Sequence, residues 1–215
     1  MKLKDIGFYP PDDKHAEPLK WGSYAVALHF LVSLPDVVTK DTRKISIRPI
    51  EDGVPSTRQL LDVLRLTEPF DFTSLDANDP VAIKRALLEL LRRAVARGAR
   101  EKGWSQQPFD EAYEKVLSDG ILLERSTGRR ISSPDKKHKA QLWYCVDTFK
   151  TAVGVQFFDA TGSKTGRKQF VEIEPTWIAL RDTLGKLSWI TSQTVELTAK
   201  TDSQSWRADV PNRPI

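Results

Sequence analysis

Three histidines, one cysteine and 29 carboxylates are the side chains with which this 215-residue chain could bind a metal or move a proton. Their spacing argues against both. His15, His29 and His138 form no H-x-x-x-H or H-E-x-x-H pair, and the lone Cys145 excludes the multi-cysteine zinc patterns and any intramolecular disulfide. Cys145 lies in the apolar run "LWYCV" and is expected as a packed, inert thiol. His29 interrupts the apolar "YAVALHFLVSL" and is expected half-buried and hydrogen-bonded, whereas His138 sits among lysines and extends their charge. There is no G-x-x-x-x-G-K-[ST], G-x-G-x-x-G or G-x-S-x-G. "PDD" at 11–13 and "LPD" at 34–36 invite comparison with the Pro-Asp…Asp/Glu-x-Lys nuclease signature, but no acid-x-lysine follows at a useful spacing. Asp12-Asp13 reads as a solvated turn and Asp79 as a helix cap. The chain is therefore expected to be no enzyme, with no metal and no cofactor.

Charge carries more information. The net charge is +4, but residues 81–140 hold 14 Lys and Arg against 8 Asp and Glu, while residues 1–80 hold 10 against 13. Arg92 and Arg93 belong to one part of that basic middle. The rest is a loop, "TGRRISSPDKKHK", at which Arg125, Arg129, Arg130, Lys136, Lys137 and Lys139 stand against Asp135. Such a loop suits phosphates, since each contact adds to the electrostatic part of binding. An acidic protein surface would be attracted equally. Trp104, Trp143 and Tyr144 would stack on unpaired bases if exposed. Aromatics interrupting apolar runs are more often core, and this is the expectation for Trp143 or Tyr144.

The elements that position these residues follow from periodicity. "YAVALHFLVSL" alternates Tyr24, Val26, Leu28, Phe30, Val32 and Leu34 with smaller residues and predicts a strand, with a helix as competitor. "RKISIRPI" predicts a second strand. Ser56 three residues before Gln59 has capping-box spacing and predicts a short helix through "TRQLLDVLRL". Asp79-Pro80 starts a long amphipathic helix with Leu87, Leu90, Leu91, Ala94 and Val95 as its apolar stripe and Gly103 as its C-cap. A second helix, "QPFDEAYEKVLSDG", ends at Gly120. "ILLERS" and "AQLWYCV" flank the basic loop as strands. "TAVGVQFFDATGSKTGRKQFVEIEP" predicts a hairpin, "TWIALRDTLGKL" a helix with Trp177, Leu180 and Leu184 on one face, and "SWITSQTVELTAK" a strand. The polar tail is expected on the surface.

Strands at both ends and helices in the middle give an α+β fold, mostly antiparallel, with a central amphipathic helix. The run 80–146 resembles the end of a winged-helix domain over about a third of the chain, a helix–hairpin unit with a basic wing. Its second helix carries Asp110, Glu111, Glu114 and Asp119, which would repel phosphates beside a groove, so the resemblance implies contact led by the wing. Ordinary core strands with a solvated basic turn are the competing reading. The organisation expected is 1–79, 80–146 and 147–215, or one continuous domain.

Two functions fit. The first is a non-enzymatic nucleic-acid-binding protein that contacts the backbone through Arg92, Arg93, Arg125, Arg129, Arg130, Lys136, Lys137 and Lys139. The second is a protein-interaction module of the immunity or antitoxin type that occludes an acidic protein partner. With no apolar run of about 20 residues and no signal-peptide pattern, no membrane partner is expected and the location expected is cytoplasmic.

Overall fold

The computed structural model describes residues 1–10, 12, 15–76, 78–201 and 203–211. The chain divides into two compact units, Met1–Leu123 and Glu124–Ile215. The fold is α+β, with three sheets among the described residues.

The first unit runs β1 (Asp5–Phe8), α1 (Ala16–Ser33), β2 (Lys44–Ile50), β3 (Ser56–Leu60), β4 (Val63–Pro69), α2 (Pro80–Lys102) and α3 (Gln107–Ser118). Its sheet has the order β1-β2-β4-β3; β1, β2 and β4 are mutually parallel, and β3 is antiparallel to β4. Strand alternation sends Ile45, Ile47, Leu64 and Leu66 to one face, where they are fully buried with Leu87, Leu90, Leu91 and Val95 of α2. α2 begins as its sequence dictates. Asp79 accepts hydrogen bonds from the Val81 and Ala82 amides at 3.1 and 2.9 Å, and Gly103 ends the helix in the left-handed region at φ 67°.

Two expected elements are corrected. The alternating run 24–34 is the second half of an 18-residue helix, α1, not a strand. Leu19, Val26 and Phe30 also recur at helical spacing and are buried with Ala25, Ala27 and His29, so the run is apolar enough to satisfy both periods. Packing of α1 against β1, α2 and α3 decides between them. The helix stops where Leu34 turns extended (ψ 125°), as a residue before proline must.

The expected helix at 57–66 is instead the β3–β4 hairpin. Leu60 pairs with Val63 across a two-residue turn in which Leu61 takes φ 52° and is 94% exposed. Leucines 64 and 66 point inward and Arg65 outward, a period of two that the adjacent leucines at 60 and 61 conceal.

The second unit holds a sheet ordered β5-β6-β7-β8, from strands β5 (Leu123–Ser132), β6 (His138–Val146), β7 (Thr151–Asp159) and β8 (Lys164–Ile173). After α4 (Trp177–Thr183), strands β9 (Lys186–Trp189), β10 (Thr194–Thr198) and β11 (Ser205–Asp209) form a second sheet in the order β11-β10-β9. Ala140, Val155 and Phe157 of the first sheet share a core with Val195 and Val210. The Trp189 indole, beside Phe157, donates its N–H to the Ile131 carbonyl at 3.2 Å. In α4 the expected face is incomplete: Leu180 is buried, but Trp177 is 58% exposed.

The winged-helix expectation changes accordingly. The hairpin β5–β6 exists, but β7 and β8 continue it into a four-stranded sheet of the second unit, whereas α2 and α3 belong to the first. Both helices already spend their apolar faces on the core with α1.

Candidate nucleic-acid interface

The eight residues singled out by charge fall into two groups, one in each unit. Arg92 and Arg93 lie exposed on α2 and are engaged locally. The Arg92 guanidinium stands 4.3 Å from the centroid of the Tyr113 ring, and the Tyr113 hydroxyl donates to the Glu89 carboxylate. Burial, then Glu89, holds the Tyr113 hydroxyl above its ordinary pKa. Arg93 donates to the Pro69 carbonyl at 3.3 Å. These arginines have structural duties as cation–π and hydrogen-bonding partners.

The other six lie on β5, the turn 133–137 and the start of β6. Local chemistry shapes the turn. The Ser133 hydroxyl accepts from the His138 amide at 3.0 Å and donates to Asp135 Oδ1 at 2.7 Å, and the Lys137 amide donates to the same carboxylate oxygen at 3.2 Å. The Ser133 hydrogen bond leads in holding the Asp135 carboxyl below its ordinary pKa. Lys136 takes φ 61°. The turn's acid is thus tied to Ser133 and backbone, while Lys136 and Lys137 remain exposed.

Arg130 lies 3.8 Å from the centroid of Phe158, which is 2% exposed, and 3.5 Å from the Gln141 side-chain carbonyl. Arg167 repeats the motif over Trp143 at 4.3 Å and pairs with Glu124 through two guanidinium nitrogens. The register Lys139↔Phe158, Gln141↔Gln156, Trp143↔Gly154 puts both aromatics on one face of the sheet. Lys139 donates to the Ala160 carbonyl at 3.0 Å. Trp143 is buried and Tyr144 half-buried; burial raises the Tyr144 hydroxyl's pKa, opposed by Arg125. Trp104 is partly buried against Phe109.

Among the described residues, Arg125, Arg129, Lys136 and Lys137 make no ion pair. No protein-family model, curated protein or solved structure matches the chain.

A further cationic group, Lys44, Arg48, Arg58 and Arg65, lies on the face of the first sheet opposite α2. Sequence reading passed over it. The signal was the outward set Lys44, Ser46, Arg48 in "RKISIRPI", but Arg58 and Arg65 were hidden by the helical reading of 57–66.

His29 is buried and its Nε2 lies 3.3 Å from Asp119 Oδ2; burial pushes the imidazole below its ordinary pKa despite that carboxylate. It joins α1 to the end of α3. Cys145 is half-buried on β6. Among the described residues, no helix is long and apolar enough to cross a membrane.

Proposed function

We propose that the protein binds nucleic acid through its phosphate backbone, without catalysis, using β5 and the turn that follows it. The supporting observation is the set Arg125, Arg129, Lys136 and Lys137, four exposed cations that make no ion pair among the described residues, two of them on a turn whose own acid is hydrogen-bonded to Ser133 and the Lys137 amide. Arg130 and Lys139 flank them on the same hairpin. Counterions displaced from the phosphates drive such binding, which reads the backbone and not the bases.

Four phosphate contacts give a log–log salt slope of roughly −3.6 on duplex DNA, so affinity falls roughly a hundredfold between about 50 and 200 mM salt. Fluorescence anisotropy of labelled duplex and single-stranded oligonucleotides measures it. Reversing Arg129, Arg130, Lys136 and Lys137 together to Glu is expected to abolish binding at the lower salt; binding that survives this change removes the turn from the account.

One observation favours the protein-interaction reading. Trp177 and Ile178, adjacent in the first turn of α4, are 58% and 62% exposed, and tryptophan is a favoured interface anchor. A complex with the product of the adjacent gene, lost on Trp177→Ala and unaffected by the four charge reversals, would establish this reading. Retention of that complex by Trp177→Ala would refute the anchor.

A further inference from the structure

The sheet of the first unit packs one face into the core with α2, and its opposite face is not ordinary solvated surface. Alternation places Lys44, Ser46 and Arg48 of β2, Val63, Arg65 and Thr67 of β4, and Ser56 and Arg58 of β3 on it. Together with Tyr9 they line a cleft of about 710 Å³, within the size range of small-ligand sites.

The charges are arranged in an unusual way. Arg58 and Arg65 are direct cross-strand partners, and like charges directly opposite one another destabilise a sheet. Neither makes an ion pair among the described residues. On the neighbouring strand, Ser46 pairs with Arg65 and Arg48 pairs with Thr67, so hydroxyl and guanidinium alternate across the face. Thr67 in turn pairs with Ser56. Asp5 is taken up by Lys44 at 2.8 Å, and the Lys44 ammonium also stands 5.0 Å from the centroid of the Tyr9 ring. Tyr9 bends back over Gly7, where a Cβ would lie 3.5 Å from the ring, and so walls one end of the cleft.

We propose that this face is a second binding site, distinct from β5 and its turn, for a nucleoside di- or triphosphate. Adjacent phosphates resolve the Arg58–Arg65 repulsion through paired guanidinium contacts. The hydroxyls of Ser46, Ser56 and Thr67 supply neutral donors between the cations. The cleft leaves room for more than the phosphates, and Tyr9 offers an aromatic wall for the nucleoside.

Isothermal titration of the full chain with ATP, inorganic triphosphate and a short single-stranded oligonucleotide, alongside thermal melting, tests the assignment. ATP is expected to bind more tightly than inorganic triphosphate and to raise the melting temperature. Arg58→Gln/Arg65→Gln is expected to lose at least about tenfold in ATP affinity. Without ligand it should melt no lower than the native chain, because the opposed charges are gone. The four-site reversal on β5 and its turn should leave ATP binding unchanged, which separates this site from the first. Absence of ATP binding, or ATP binding retained in the double glutamine variant, overturns the proposal. Equal affinity for inorganic triphosphate overturns the nucleoside part, and tighter binding of the oligonucleotide through Arg58 and Arg65 replaces the small ligand with a strand.

Discussion

Replacing Arg97 with alanine is expected to cost about 3–5 kcal/mol of stability, the penalty for leaving a buried charge without its partner. Arg97 is on α2, yet its side chain is only 15% exposed and ends at the β3–β4 hairpin. Nη2 donates to the Thr67 carbonyl at 2.8 Å, the Ser56 carbonyl at 3.1 Å and Glu68 Oε2 at 3.0 Å, while Nε reaches the same carboxylate oxygen at 3.2 Å. Nη1 donates to the Thr57 hydroxyl and to Glu101 at 3.3 Å. Glu68, at 9% side-chain exposure, would be stranded by the truncation. Lysine cannot reproduce the fork, so Arg97→Lys should fall between the native chain and alanine. Glu68→Leu/Arg97→Leu should recover most of the loss, because removing both charges leaves none buried alone. Urea unfolding with an unchanged m-value is the measurement. A double variant no better than Arg97→Ala would show that the hydrogen bonds to the hairpin carbonyls, not the ion pair, hold the helix to the strands.

The second large effect is expected at Gly154. A Cβ there would lie 2.3 Å from the Lys168 carbonyl oxygen on β8 and 2.7 Å from the Trp143 indole nitrogen on β6. The residue occupies a register shift between β7 and β8, with a strand on each side, so neither neighbour can retreat without opening the sheet. Overpacking of this kind typically costs about 1–3 kcal/mol, and a clash with backbone belongs at or beyond the upper end. Gly154→Ala is therefore expected to lose about 3 kcal/mol or more. Gly103→Ala is the control: the space around that glycine is open, so only the left-handed backbone is charged, at roughly 1–2 kcal/mol. Equal losses in the two variants would mean that the sheet accommodates the methyl by shifting.

The parts of the fold legible in the sequence are those whose local signals agree with one another. α2 announces itself through Asp79-Pro80, a five-residue apolar stripe and Gly103, and the structure keeps all three. The hairpins β5–β6 and β7–β8 follow from alternation broken by turn residues. The failures have two physical origins. In α1 the apolar residues satisfy a period of two and a helical spacing at once, so only packing could choose. In β3–β4 the Ser56…Gln59 spacing imitates a cap, and the turn is made by Leu61 and Asp62 without the glycine or asparagine that marks most two-residue hairpins. That second error also concealed the cationic sheet face, because Arg58 and Arg65 come together only across paired strands. The basic loop was legible as charge, but its division from Arg92 and Arg93 was not, since charge counting along a chain does not show where one compact unit ends.

β5 has a further consequence. As the outermost strand of its sheet it has β6 on one side only among the described residues, which leaves backbone donors and acceptors able to recruit another chain. Arginines 125, 129 and 130 repel a second copy of the same strand, whatever else they bind. Neutralising them would turn a charged edge into an aggregation template, whereas reversing their sign keeps identical copies apart. The same side chains that would attract a polyanion thus oppose edge-to-edge pairing of identical copies.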